Sequence, residues 1–189
     1  MGLLDPLFGK KRLKGATLDR LFALSSSVVT MTAELGLEPA GVAAVVFKPL
    51  SAGEFVRAEN EIQELLDVAA RDSGSKIQRT EDTYGYEWLV IRDSDIEDLV
   101  TSTHLVSSEL RDRGFDEQLL AAVFLFKGGS HPVYLIYGYK RGTFWPFIPT
   151  GNEQERDNAE ELRIKSELEK ELPFEQDLTR WFGLFNAPF

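Results

Sequence analysis

QLLAAVFLFKGGSHPVYLIYGYKRGTFWPFI, residues 118–148, reads as three consecutive β-strands. Residues 118–127 are almost wholly apolar, and Gly128-Gly129-Ser130 is a hairpin turn signal. Residues 132–139 (PVYLIYGY) then return antiparallel. A second turn, Lys140-Arg141-Gly142-Thr143, leads into residues 144–148 (FWPFI). Pro146 has no N–H to give to a ladder, which places this last strand at a sheet edge.

Upstream, residues 86–92 (YEWLVIR) form a strand by composition, and residues 76–80 a weaker one. Glu81 to Gly85 supplies the polar turn between them. Val42 to Phe47 is short, β-branched and closed by Pro49, so it reads as a buried strand. Helices separate these strand groups. Residues 17–35 carry Leu18, Leu21, Phe22, Ser25, Val28, Val29, Thr32 and Leu35 at the 3.6 period, with Thr17 and Gly36 as caps. Ser51-x-x-Glu54 is a capping box opening a helix with the inner face Phe55, Ala58, Ile62, Leu65, Leu66 and Ala69. Ser94-x-x-Glu97 is a second box. It predicts a helix burying Ile96, Leu99, Val100, Thr103, Val106 and Leu110 and stopped by Gly114. A charged helix is predicted from about Asn152 to Glu171, ended by Pro173. The tail holds Leu178, Trp181, Phe182, Leu184 and Phe185, large apolar groups expected to pack on the domain. Hairpin-linked strands with intervening helices give an α+β class: one domain with a mainly antiparallel sheet covered by helices. Its predicted extent is residues 17–189, after a leader at residues 1–16.

The 189 residues include no Cys, which excludes disulfides, thiol catalysis and thiolate metal sites. The net charge of −10 argues against a nucleic-acid binder, which needs a basic face. That charge is unevenly spread. Residues 1–14 hold Lys10, Lys11, Arg12 and Lys14 against Asp5, a net of +3, leaving 17 basic and 30 acidic residues, net −13, in the rest. Leu3, Leu4, Leu7 and Phe8 immediately precede the basic cluster. Apolar groups that enter a headgroup region beside cations worth about 1 kcal/mol each make this leader a candidate contact for an anionic membrane. Docking on the domain's own core and a simple unstructured terminus are the competing readings. The basic residues follow the apolar run and no A-x-A site occurs, so it is not a secretory signal.

Motifs for catalysis are sparse. The two histidines, His104 and His131, lack partners at metal-ligand spacing, and no phosphate-binding glycine motif or G-x-S-x-G occurs. Acid pairs at Glu81-Asp82, at Asp95, Glu97 and Asp98, and at Glu160-Glu161 fall at a turn, a helix start and a charged helix. No cofactor or metal site is expected. The stretch from Tyr137 to Phe147 interleaves Lys140 and Arg141 with aromatics. One reading makes alternate aromatics core and leaves the two cations at the turn. The other makes the hairpin a contact surface for an acidic partner segment, with Tyr139, Lys140, Arg141, Phe144, Trp145 and Arg156 as contacts. Downstream, Arg156 and Asp157 are candidates to pair with this turn.

The strings MGLLDPLFG at the start, Leu18-Asp19-Arg20-Leu21-Phe22-Ala23-Leu24, Tyr84-Gly85-Tyr86, Lys140-Arg141-Gly142-Thr143-Phe144, Pro146-Phe147-Ile148-Pro149-Thr150-Gly151 and Arg156-Asp157-Asn158-Ala159 resemble PspAB. This is the PspA-associated protein of phage-shock-type envelope stress systems. The resemblance implies association with PspA, a membrane-remodelling coiled-coil protein, and with an HtpX-type membrane metalloprotease. It implies a cytoplasmic location, to which the leader adds an expected contact at the inner face of the membrane. It supplies no catalytic residues. The element order is also similar to secretion-chaperone-like folds, in which a sheet and helices present a binding surface. The function expected from these observations is a non-enzymatic adaptor. The alternative is a hydrolase or small-molecule-binding protein with a carboxylate and Arg site near residues 140–157, which requires a buried carboxylate beside a cation in a closed pocket.

Overall fold

A computed structural model describes residues 18–48, 53, 64, 67–68, 71, 74–152 and 154–189. The leader with its membrane-contact residues, Thr17, and the box and inner face of the helix after Ser51 lie outside the described residues. Gly53, Glu64, Asp67, Val68 and Arg71, within that stretch, are helical.

The described elements are α1 (Ala23–Leu35), β1 (Glu38–Phe47), β2 (Lys76–Glu81), β3 (Glu87–Arg92), α2 (Ile96–Leu110), β4 (Leu119–Lys127), β5 (Val133–Gly138), β6 (Thr143–Phe147) and α3 (Asn158–Leu168). The six strands form one sheet in the order β2-β3-β1-β4-β5-β6, every neighbouring pair antiparallel. The α+β expectation therefore holds. Pro146 sits on the outermost strand, as its missing donor requires.

Strand β1 starts at Glu38, earlier than predicted, because Glu38 and Pro39 pair with Lys127 and Phe126 before a bulge resets the register at Ala43. The face of α1 is also rotated from the predicted one. Leu24, Ser27, Met31 and Leu35 are buried, while Phe22 and Val29 are 41% and 74% exposed. A 3₁₀ turn at Arg20–Phe22 precedes the helix, and its tighter winding shifts the phase of everything after it. Gly36 ends α1 in the left-handed region, as predicted. The cap of α2 is Asp95 rather than Ser94: its side chain accepts from Glu97 N–H. Asp93 fixes this corner, accepting from Asp95 N–H and from the Ser75 hydroxyl. Helix α3 starts later than predicted, capped by Asp157, because residues before it fold back into a Pro149–Arg156 bridge.

Alternation along the strands divides the apolar residues between two faces. Ala43, Val45, Leu89, Ile91, Phe124 and Leu135 face the helices, joining Leu24 and Met31 of α1, Leu99 and Val106 of α2, and Ile164 and Leu168 of α3. Val42, Ala44, Trp88, Val90, Val123, Ile136, Trp145 and Phe147 point the other way. On that side they meet the tail, through Trp181, Leu184, Ala187 and Phe189. The tail starts beside the β6 edge, where Phe144 N–H donates to Pro173 and Glu175 N–H donates back to Phe144. It then crosses towards the opposite end of the sheet. Phe185 packs edge-on to Phe147 at 4.9 Å, Phe189 lies 6.0 Å from Trp88, and Asn186 bonds Thr83 in the β2–β3 turn. Trp181 and Leu184 pack as expected of the tail, whereas Leu178, Phe182 and Phe185 keep large exposed surfaces.

Candidate functional site

The turn between β5 and β6 is the candidate partner-contact surface of the sequence analysis, and its backbone is closed by Gly142 N–H and Arg141 N–H donating to Gly138. The aromatic residues around it turn inward. Tyr139 and Phe144 are fully buried in the helix-side core. The Tyr139 ring stands edge-on to Tyr137 at 5.8 Å, and its hydroxyl shares a short hydrogen bond with Ser107 of α2. Burial pushes both Tyr137 and Tyr139 well above the usual tyrosine value. Trp145 belongs to the second face, where Nε1 donates to Phe182 at 3.0 Å. Its indole lies across Gly138, where a Cβ would approach Cζ3 to 2.9 Å. The contact surface drawn from Tyr139, Phe144 and Trp145 is thus corrected: these rings are interior, and Lys140 and Arg141 alone stand exposed at the turn.

Arg156 does not pair with the turn. Its Nε donates to both carboxylate oxygens of Glu161 at 2.9 and 3.0 Å, Nη1 donates to Trp181 at 2.7 Å and Nη2 to Pro146 at 3.3 Å. The guanidinium also lies over the Phe147 ring at 5.0 Å. Glu161, 1% exposed, accepts a third bond from Ile148 N–H at 2.8 Å. Burial pushes its carboxyl above the ordinary glutamate range, and Arg156 and Ile148 pull it part of the way back. A carboxylate buried beside a cation is therefore present near residues 140–157. Its acceptor positions and the arginine's donors are spent on β6, α3 and the tail, so the pair braces these elements together. Asp157, expected near the turn, caps α3.

Arg141 instead reaches Glu175, with Nε 3.6 Å from Oε2. Arg180 approaches the other oxygen of Glu175 at 4.0 Å and Asp177 at 3.0 Å. The cluster left no trace in the sequence because Arg141 stands more than 30 residues before Glu175, Asp177 and Arg180 and meets them only where the tail pairs with Phe144.

Asp82 and Glu160, from the other acid pairs, have structural partners. Asp82 accepts from Tyr84 N–H, Tyr86 N–H and Trp88 Nε1, which shapes the β2–β3 turn. Glu160 is forked by Arg163. His104 lies 3.2 Å from Asp19 and against Phe22. His131 lines an open depression of about 240 Å³ with Ala40, Leu125 and the Gly128–Pro132 turn. That volume is below the roughly 300–1,000 Å³ of typical ligand pockets. No described helix is long and apolar enough to cross a membrane.

Compared with known proteins, the whole chain, residues 1–189, matches the family model described as PspA associated protein B. No curated protein and no solved structure matches it.

Proposed function

The chain belongs to the PspA associated protein B (PspAB) family, and from that premise we propose that it is a non-enzymatic adaptor of a PspA-type envelope stress response. The whole-length family match carries this reading, since the family is named for its association with PspA. The build of the domain favours an adaptor over an enzyme. Its buried carboxylate and cation are consumed in bracing the fold, whereas the exposed cations Lys140 and Arg141 sit on a rigid turn suited to holding a partner.

In this reading the direct partner is the PspA-type protein, with an HtpX-type membrane protease as a second component. The basic, apolar leader brings the protein to the inner face of the anionic membrane. Affinity capture on the full chain, followed by direct binding of purified PspA-type protein, tests the core of the proposal. Saturable binding supports it, and recovery of neither PspA nor the protease contradicts it. Co-sedimentation with anionic vesicles tests the leader. A chain lacking residues 1–14 should lose most of the sedimented fraction, and equal sedimentation of the two proteins removes the membrane contact.

A further inference from the structure

The fold brings Arg141 of the β5–β6 turn beside the tail segment that carries Leu178, Arg180 and Phe182. Arg141 comes from the β5–β6 turn, and Arg180 from the 3₁₀ turn Leu178–Arg180 in the tail. Both guanidiniums converge on Glu175, whose side chain is only 9% exposed, while their own side chains are 52% and 42% exposed. Separations of 3.6 and 4.0 Å from Glu175 exceed hydrogen-bond range, while Arg180 Nε lies 3.0 Å from Asp177 Oδ2, so the Glu175 carboxylate positions both cations and the Nη groups of Arg180 stay clear of Asp177's close contact. Lys140 adds a third exposed cation beside Arg141 and makes no ion pair among the described residues.

Leu178 and Phe182 are 51% and 66% exposed in the same short segment. Their backbone is nonetheless held firmly. Trp181, buried between them in sequence, donates from Nε1 to Glu175 and from N–H to Leu178, while Asp177 caps the turn through Thr179. Phe182 is fixed through its carbonyl, which accepts from Trp145 Nε1. Apolar side chains held outward on an ordered backbone lose little entropy on binding, which is what a docking surface requires.

We propose that Arg141, Arg180 and Lys140, with Leu178 and Phe182, form the docking surface for an acidic, apolar-bearing segment of the protein partner. The inference rests on the adaptor reading above and identifies the surface that reading lacks. Charge complementarity selects the occupant. The exposed Arg141 fork and the Nη groups of Arg180 match carboxylates, and the net-acidic body offers an acidic segment few other places to bind. Arg and large aromatics are also the groups that dominate binding energy at interfaces. A lipid surface fits less well. Polybasic lipid sites use clusters of about 4–8 cations, whereas here three cations stand beside the two carboxylates of Glu175 and Asp177.

The test is direct binding of purified PspA-type protein from the same cell to four proteins: wild type, R141Q/R180Q, L178S/F182S and R141K/R180K. Unchanged thermal melts establish that each variant is folded. R141Q/R180Q and L178S/F182S should each bind about tenfold or more weakly, since loss of hot-spot residues has at least that effect. R141K/R180K should fall between them and wild type, because lysine keeps the charge and loses the fork. Wild-type affinity in both neutral variants overturns this surface and leaves the adaptor reading standing. No binding by wild type removes the adaptor reading and this inference with it. If R141Q/R180Q keeps PspA binding but no longer sediments with anionic vesicles, the surface faces lipid and the proposal is wrong.

Discussion

Arg156 donates to both oxygens of Glu161 at 2.9 and 3.0 Å, and through its other nitrogens it holds the carbonyls of Trp181 and Pro146. One side chain thereby ties α3, β6 and the tail. Arg156→Ala leaves a carboxylate buried with one backbone donor and no cation. Breaking one half of such a pair costs about 3–5 kcal/mol, which urea unfolding should register as a lower midpoint at unchanged slope.

Glu161 also predicts a pH dependence. Its carboxyl is held above the ordinary glutamate range, first of all by burial. A raised folded value means that the group's contribution to stability is complete below the unfolded value, about 4.3, and is lost as pH rises through the folded one. Glu161→Gln should flatten that decline in the window just above the ordinary glutamate range. Parallel stability curves for wild type and variant across that window would contradict it.

At alkaline pH the buried phenols act in the same direction. Burial raises Tyr137 and Tyr139, so their contribution is complete below about pH 10 and lost above it. Tyr139→Phe removes one of the two and the hydrogen bond to Ser107. It should cost about 0.5–1.5 kcal/mol at neutral pH and reduce the steepness of alkaline unfolding followed by circular dichroism.

Gly128 cannot accept a side chain. A Cβ there would lie 1.9 Å from the Gly36 carbonyl oxygen, at a φ of +127° that side-chain-bearing residues rarely adopt. Gly128→Ala should therefore separate the β4–β5 turn from the end of α1 and cost about 3 kcal/mol, combining backbone strain with overpacking. Thermal unfolding measures the loss. Gly129→Ala is the control, since its Cβ would meet nothing closer than 3.6 Å.

Trp181 is the tail's buried anchor. Trp181→Ala should cost about 3–5 kcal/mol and make the segment after Pro173 sensitive to brief proteolysis, read by mass spectrometry. Intact tails in the variant at protease levels that spare wild type would contradict the anchoring role.

Much of this architecture was legible locally. The strands declared themselves by β-branched and aromatic runs between turn residues, and Pro146 marked the edge. Helix faces were less certain, because a single 3₁₀ turn at Arg20–Phe22 re-phases α1, and no periodicity count registers it beforehand. Asp95 displaced Ser94 as a cap because Asp93 and Ser75, distant in sequence, set the corner. Glu161 read as one more acid on a charged helix, yet a signal was available. It precedes Ile164 and Leu168 by three and seven positions and so lies on the apolar stripe, where an acid requires a partner. The Arg141–Glu175–Arg180 cluster left no such trace, since only the bridge between Phe144 and Phe174 creates it.

The path of the tail also sets an order of assembly. Residues 181–189 are synthesised after every strand they touch, and Phe189 must return to Trp88 and Tyr134. At roughly 5–20 residues per second, about 5–20 s separate the appearance of Trp88 from that of Phe189. Through that interval the helix-side core can condense while the opposite side still lacks its last aromatic contacts. Until Phe189 emerges, Trp88 and Tyr134 lack the ring that packs against them in the finished domain. A holdase that masks that side would raise the yield of native protein more than one acting on the finished domain.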